Sequence, residues 1–125
     1  MVKIFIMIKR NKSLTKEQFR SYYEDHHANF ALRYIRPYLT SYCRNYPKTA
    51  FSYFDAVESD GKTAASSYDF DCITEMCFAD ESALEAMFAR LAEPDVRAAI
   101  AADEERFIDP QSVIVLRCDE GRSDL

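Results

Sequence analysis

The chain opens with a period of two. Between Val2 and Lys9 the side chains Ile4, Ile6 and Ile8 alternate with Phe5 and Met7, so both faces are apolar at the centre. That spacing predicts a central strand covered on both sides. The period then lengthens. Thr15 followed by Gln18 has the form of a capping box, and Phe19, Tyr22, Tyr23, His26, Phe30 and Tyr34 recur at helical spacing until Pro37 ends the run. Alternation returns from Tyr38 to Tyr46, with Tyr38, Thr40, Tyr42, Arg44 and Tyr46 on one side and Leu39, Ser41 and Cys43 on the other.

Lys48 to Ser67 is polar and aperiodic, broken only by Phe51, Tyr53 and Phe54. A connection of this length in a compact domain is either functional or mobile. Tyr68 to Phe78 carries aromatic and β-branched residues and reads as a third strand, placing Asp69, Asp71 and Glu75 on one face with Ile73 and Cys77. Ser82 with Glu85 suggests a second capping box, followed by Leu84, Met87, Phe88 and Leu91 on one helical stripe. Pro94 opens a further helical piece to about Arg106, and Val113 to Cys118 is dense enough in β-branched residues to be the last strand.

The order βαββαβ predicts an α+β sandwich, an antiparallel-type sheet with helices on one face. A single domain over residues 1–125 is expected, with residues from about 119 onward peripheral. Two helices cannot cover both faces of a sheet. Yet Phe5 and Met7 on the first strand, with Val113 and Val115 or Ile114 and Leu116 on the last, make both faces apolar. The uncovered face predicts a partner, and a second copy related by a twofold axis is the simplest one.

Composition narrows the class. At 125 residues, 48% hydrophobic and 30% charged, the chain is globular in character. A net charge of -5 with scattered Lys and Arg argues against a nucleic-acid partner, which needs clustered cations. The only glycines, Gly61 and Gly121, lie in polar stretches, so no glycine-rich phosphate cradle is present. The apolar run Met1 to Ile8 is too short for a signal sequence or a membrane span, so no membrane partner and a cytoplasmic location are expected. Cys43, Cys72, Cys77 and Cys118 form no CxxC pair, and all four are expected as buried thiols within strands.

Several segments carry a family likeness. Phe19 to Ala28, with its aromatic pair Tyr22-Tyr23 and the dipeptide His27-Ala28, resembles the first-helix signature of the EthD-like family. Tyr42 to Asn45, Phe70 to Phe78 and Phe107 to Asp109 are similar to the same family in the same order. The resemblance implies a ferredoxin-like domain that pairs into a dimeric α/β barrel, with a cavity between sheet and helices. It also implies one of the activities such barrels host: cyclisation, dehydration, decarboxylation, isomerisation, cofactorless monooxygenation, or an accessory role in an oxidising system that degrades alkyl ethers. Tyr23 stands where the family often has Trp, and Asn29 where Pro often follows His-Ala.

The candidate chemistry centres on the histidines, His26 and His27. A helix turns about 100° per residue, so with Phe19 at zero His26 falls near about 340° and His27 near about 80°. His26 is thus expected within the apolar stripe as a core imidazole. His27, at the stripe's edge and matching the family's motif histidine, is the candidate general acid or base, or else a helix-to-sheet hydrogen-bond partner. Tyr23, one turn earlier, and Tyr42 are candidates to stabilise an oxyanion, or simply to pack. Asp71 and Glu75 are candidates to orient His27, or to pair with Arg44. Phe5, Met7, Tyr42, Asp71 and Phe30 are expected to line a site for a small hydrophobic ligand. Adjacent helical histidines diverge, so no metal is expected, and no cofactor. The expected activity is proton transfer on a hydrophobic aromatic or carbonyl metabolite, the alternatives being oxidoreduction or ligand binding without turnover.

Overall fold

The computed structural model of the chain describes residues 1–58 and 69–125. Strand β1 (Val2–Ile8) is central, between β3 (Cys72–Phe78) and β4 (Ile114–Cys118), and β2 (Ser41–Asn45) flanks β3. The order is β2-β3-β1-β4 and every pairing is antiparallel. This is the ferredoxin-like arrangement, with the helices on one face.

The period of two decides which residues the helices cover. Ile4, Ile6 and Ile8 sit opposite Met76, Thr74 and Cys72 in the ladder, and Tyr42 lies opposite Met76. All of these face the helical layer, where Ile4, Ile8, Cys72, Thr74 and Met76 are buried. Phe5 and Met7 turn to the other face, opposite Glu75 and Ile73 on one side and Leu116 and Ile114 on the other. There Ile114 and Leu116 remain 49% and 47% exposed. β1 is therefore central as expected, but the described residues cover only one of its faces with helices.

The first long helix has three parts. α1 (Lys16–Tyr22) begins at the expected capping box: Gln18 N–H donates to Thr15 Oγ1 at 3.1 Å and Thr15 N–H donates to Gln18 Oε1 at 2.8 Å. A π turn spans Tyr23–His27, closed by Ala28 N–H donating to the Tyr23 carbonyl, and α2 (Ala28–Ile35) follows. A 3-10 turn at Arg36–Tyr38 carries Pro37 and leads to β2, which is shorter than the alternation suggested.

The aperiodic stretch after Pro47 contains a short helix, α3 (Tyr53–Glu58); its residues 59–67, and Tyr68, lie outside the described residues. β3 starts only at Cys72 because Asp71 is held in the bend before it. Asp71 accepts from the backbone N–H of Arg10 at 2.9 Å and from its guanidinium at 2.8 Å.

α4 (Glu81–Ala92) is capped by Asp80, whose carboxylate accepts from Ala83 N–H at 2.8 Å. The Ser82–Glu85 box does not form, since Ser82 is already inside the helix that Asp80 starts. α5 (Pro94–Glu104) begins at Pro94 as expected.

Two clusters form the core. Ile4, Ala31, Ile35, Met76, Phe78, Leu84 and Met87 make one; Ile8, Phe19, Tyr23, Ala28, Cys72, Phe107 and Ile108 make the other. Each large apolar side chain in them contributes about 1.5–3 kcal/mol by leaving water. Of the thiols, Cys72 and Cys77 are buried, Cys118 is half-buried and Cys43 is exposed. Cys43 and Cys118 depart from expectation because both lie on edge strands and face the open side of the sheet. Among the described residues no helix is long and apolar enough to cross a membrane.

Candidate active site

The π turn exchanges the expected roles of the histidines. Its wider turn holds back the angular advance of the helix, so the residues at its end lag behind an α-helical wheel. His27 rotates inward, to 7% exposure, and His26 rotates out of the stripe, its side chain 55% exposed. His26 is thus not a core imidazole. Phe30, stacked on it with ring centroids 6.1 Å apart, also lies on the outer side of the helix.

The group that orients His27 comes from α5. Asp103 is 7% exposed and receives three neighbours from the first helix. His27 Nδ1 lies 2.7 Å from Oδ2, Tyr22 OH donates to Oδ1 at 2.5 Å, and His26 Nε2 is 3.1 Å from Oδ1. An ionised carboxylate only accepts, so Nδ1 of His27 carries the proton and Nε2 keeps a lone pair. Burial pushes Asp103 up, but the bonds from Tyr22 and His27 more than offset this and hold it below its usual 3.8. Burial lowers His27 below 6.5, against the opposing pull of Asp103. Neutral imidazole beside an ionised carboxylate is therefore the resting state.

Nε2 of His27 has no partner among the described residues, and no buried side-chain nitrogen or oxygen there lacks one, so Nε2 opens onto accessible space. His27 also lines a cavity of about 110 Å³ at the seam between the two core clusters. Its walls are mainly apolar, with Ile6, Ile35, Ile100, Phe107 and Val113 among them.

Tyr23 and Tyr42 supply hydroxyls to the same cavity. Tyr42 OH donates to Tyr23 OH at 3.1 Å, and Tyr23 OH lies 2.8 Å from Thr74 Oγ1, where either can be the donor. Burial raises Tyr42 to about 12 and Tyr23 well above 10, so both remain protonated donors at neutral pH. Arg44 stacks on the Tyr42 ring at 4.6 Å and is held in place by Glu24, at 2.5 and 3.1 Å. Arg44 thus pairs with neither Asp71 nor Glu75.

One more carboxyl lines the cavity. Glu104, the last residue of α5, makes no side-chain hydrogen bond or ion pair among the described residues. Burial, and then the charge of Asp103, raise it above its usual 4.5.

The expected site residues therefore separate. His27, Tyr23 and Tyr42 meet in one cavity. Phe5, Met7 and Glu75 lie on the opposite face of the sheet, Glu75 being 3.5 Å from Lys3, because the strand alternation that sends Ile6 and Thr74 to the helices sends them away. Asp71 is occupied by Arg10 at the end of the sheet and does not touch His27. The residues not anticipated are Asp103 and Glu104. Asp103 had a legible signal: Val96, Ile100, Asp103 and Phe107 recur at helical spacing, which puts a carboxylate on an apolar stripe. Among the described residues no group of three His, Cys, Asp or Glu is arranged to hold a metal ion.

The fold has several solved counterparts. An EthD family protein from Bacillus halodurans superposes with a TM-score of 0.62 at 19% identity, covering 97% of this chain and 99% of that one. The protein At3g17210 from Arabidopsis thaliana gives 0.63 at 13% identity over the whole of both chains. HapK from Hahella chejuensis gives 0.60 at 12% identity, covering 100% and 97%. No curated protein matches the sequence. The EthD domain profile matches residues 11–111, from the turn before α1 to the turn before β4, and by that match the chain belongs to the EthD domain family.

Proposed function

We propose that this protein is a cofactor-independent enzyme that moves a proton on a small, hydrophobic, carbonyl-bearing metabolite, with His27 as the base. One observation carries the reading. Asp103 accepts a hydrogen bond from Nδ1–H of His27 at 2.7 Å, which leaves the Nε2 lone pair unused, and His27 lines an apolar cavity. An imidazole fixed in one tautomer, kept neutral by burial and backed by a carboxylate is equipped to accept a proton and to be stabilised once charged. The Tyr23 hydroxyl accepts from Tyr42 and can accept from Thr74, which frees its own proton for the oxyanion that forms as the carbon is deprotonated.

The size of the cavity bounds the substrate. About 110 Å³ is somewhat less than the roughly 150 Å³ that accommodates benzene in an apolar protein cavity. The ligand is accordingly no larger than a single ring, and uncharged, since among the described residues no lysine or arginine lines the cavity.

The protein acts as a homodimer in this reading. Phe5, Met7, Ile73, Ile114 and Leu116 form an apolar patch on the sheet face that no helix among the described residues covers, and a second copy presenting the same patch satisfies it.

The test is deuterium exchange at the carbon next to the carbonyl, followed by NMR for a panel of small ketones and aldehydes with wild type and His27→Gln. Removing a general base costs about 10²–10⁴ in rate. Exchange by His27→Gln within tenfold of wild type removes the mechanism, and oxygen consumption without exchange favours an oxidative activity instead.

A further inference from the structure

We propose that Glu104 is a second catalytic residue, a general acid lining the same cavity as the His27 base, and that the reaction is loss of water from a β-hydroxy carbonyl compound. This inference rests on the proton-transfer reading and narrows its substrate class. A base alone explains removal of a proton. It leaves unexplained a carboxyl on the same cavity wall that is bonded to no described group.

An unpartnered carboxyl in an apolar cavity destabilises the fold when ionised, so its retention calls for a use. Its position favours the protonated form. Glu104 ends α5, where the negative end of the helix dipole disfavours an anion, and Asp103 beside it is already ionised. Among the described residues the titratable groups that line the cavity with Glu104 are His27 and Tyr23 from the first helix and Tyr42 from β2, and Asp103 on the same helix acts on it by its charge. None of these is a cation at neutral pH, so among the described residues no group lining the cavity pulls Glu104 into its charged state.

The step balances with the groups present. Nε2 of His27 takes the proton from the carbon between carbonyl and carbinol, and the C–H electron pair becomes the new double bond. The C–O bond breaks as Glu104 gives its proton to the departing hydroxyl, releasing water. The imidazolium and carboxylate left behind return to the starting state by transfer of one proton from His27 to Glu104. His27 alone is a poor donor to the leaving oxygen, because before the step its only proton is held by Asp103.

The probes are acetaldol and diacetone alcohol, whose dehydration gives the ultraviolet-absorbing crotonaldehyde and mesityl oxide. Dehydration and exchange are followed together for wild type, Glu104→Gln and His27→Gln across pH. We expect Glu104→Gln to lose about 10²–10⁴ in dehydration and much less in exchange, so that the ratio of water lost to proton exchanged falls. Wild-type dehydration should rise with pH as His27 becomes neutral and fall again as Glu104 ionises. The falling limb should be missing from Glu104→Gln. Dehydration by Glu104→Gln within threefold of wild type overturns the acid while leaving the base intact. Equal loss of exchange and dehydration in Glu104→Gln also overturns it, making Glu104 a positioning residue. Wild type that neither exchanges nor dehydrates overturns both this inference and the base on which it rests.

Discussion

Asp103→Asn isolates the charge at the centre of the site. Asparagine keeps the shape of aspartate, its oxygen can accept from Nδ1 of His27, and its amide can turn to the Tyr22 hydroxyl, which also accepts. What disappears is the negative charge. A hydrogen bond to a charged group contributes about 1.5–3 kcal/mol against about 0.5–1.5 for a neutral one, so each of the two short bonds weakens by about 1 kcal/mol. Burying a neutral amide costs less than burying a carboxylate, which returns part of the loss. The expected net destabilisation at neutral pH is about 1–2 kcal/mol.

The pH dependence makes the prediction sharper. His27 has a lowered folded value, so its contribution is present above 6.5 and is lost as pH falls. Without the opposing pull of Asp103 that value drops further, and the variant loses more than wild type in this range. The gap between the two proteins should therefore widen below 6.5. Asp103 is itself lowered, so its contribution is present above 3.8 and is lost as pH falls through its folded value. The gap should then close. Urea unfolding at successive pH values measures it, and ring NMR follows His27 directly. A gap that stays constant with pH, or a His27 that titrates higher in the variant, refutes the reasoning.

Further outcomes follow from individual contacts. Tyr23→Phe removes the hydroxyl that accepts from Tyr42 and bonds Thr74, itself 0% exposed, and should cost about 1–3 kcal/mol in urea; a cost below about 0.5 would show that the hydroxyl contributes nothing. Phe107→Ala removes a ring whose centroid is 4.6 Å from that of His27 and 5.7 Å from that of Phe19, and should cost about 3–5 kcal/mol. As water enters, His27 should also titrate nearer 6.5 in that variant, and an unchanged value would mean that Phe107 does not shield it. Leu116→Asp puts a charge on the open sheet face and should shift the mass in light scattering from two chains to one. A wild type that is already a single chain at micromolar concentration ends the homodimer proposal.

The fold was legible because its signals are periodic and local. Ile4, Ile6 and Ile8 announce which face of β1 is buried, and Thr15 with Gln18 marks the helix start within one turn. Half of the site was legible for the same reason, since Tyr23 and His27 share a helix and Tyr42 shares their face of the sheet. What could not be read along the chain was the company these residues keep. His27 meets Asp103 across 76 positions of sequence, and no local pattern encodes that distance. Asp71 and Glu75 were nearer candidates by strand register, but Arg10 and Lys3 claim them. The wheel misplaced both histidines because it assumes uniform turns, and the departure from uniformity lies between Tyr23 and His27.

That π turn behaves as a one-residue insertion that the helix has absorbed. Removing one residue from it would restore unbroken α-helical bonding and leave nearly the same amino acids in place. The missing residue would make up the lag of about 100° that the turn introduces, so everything beyond the deletion would keep its direction about the helix axis. Ala28, Ala31 and Ile35 would stay on the buried face, while the residues left between Tyr22 and Ala28 would be respaced in front of Asp103. The geometry of the site and the packing of the core can thus change separately. Point substitutions can weaken the turn, but only a change in chain length removes it, and that change alters the chemistry while the core keeps its facing.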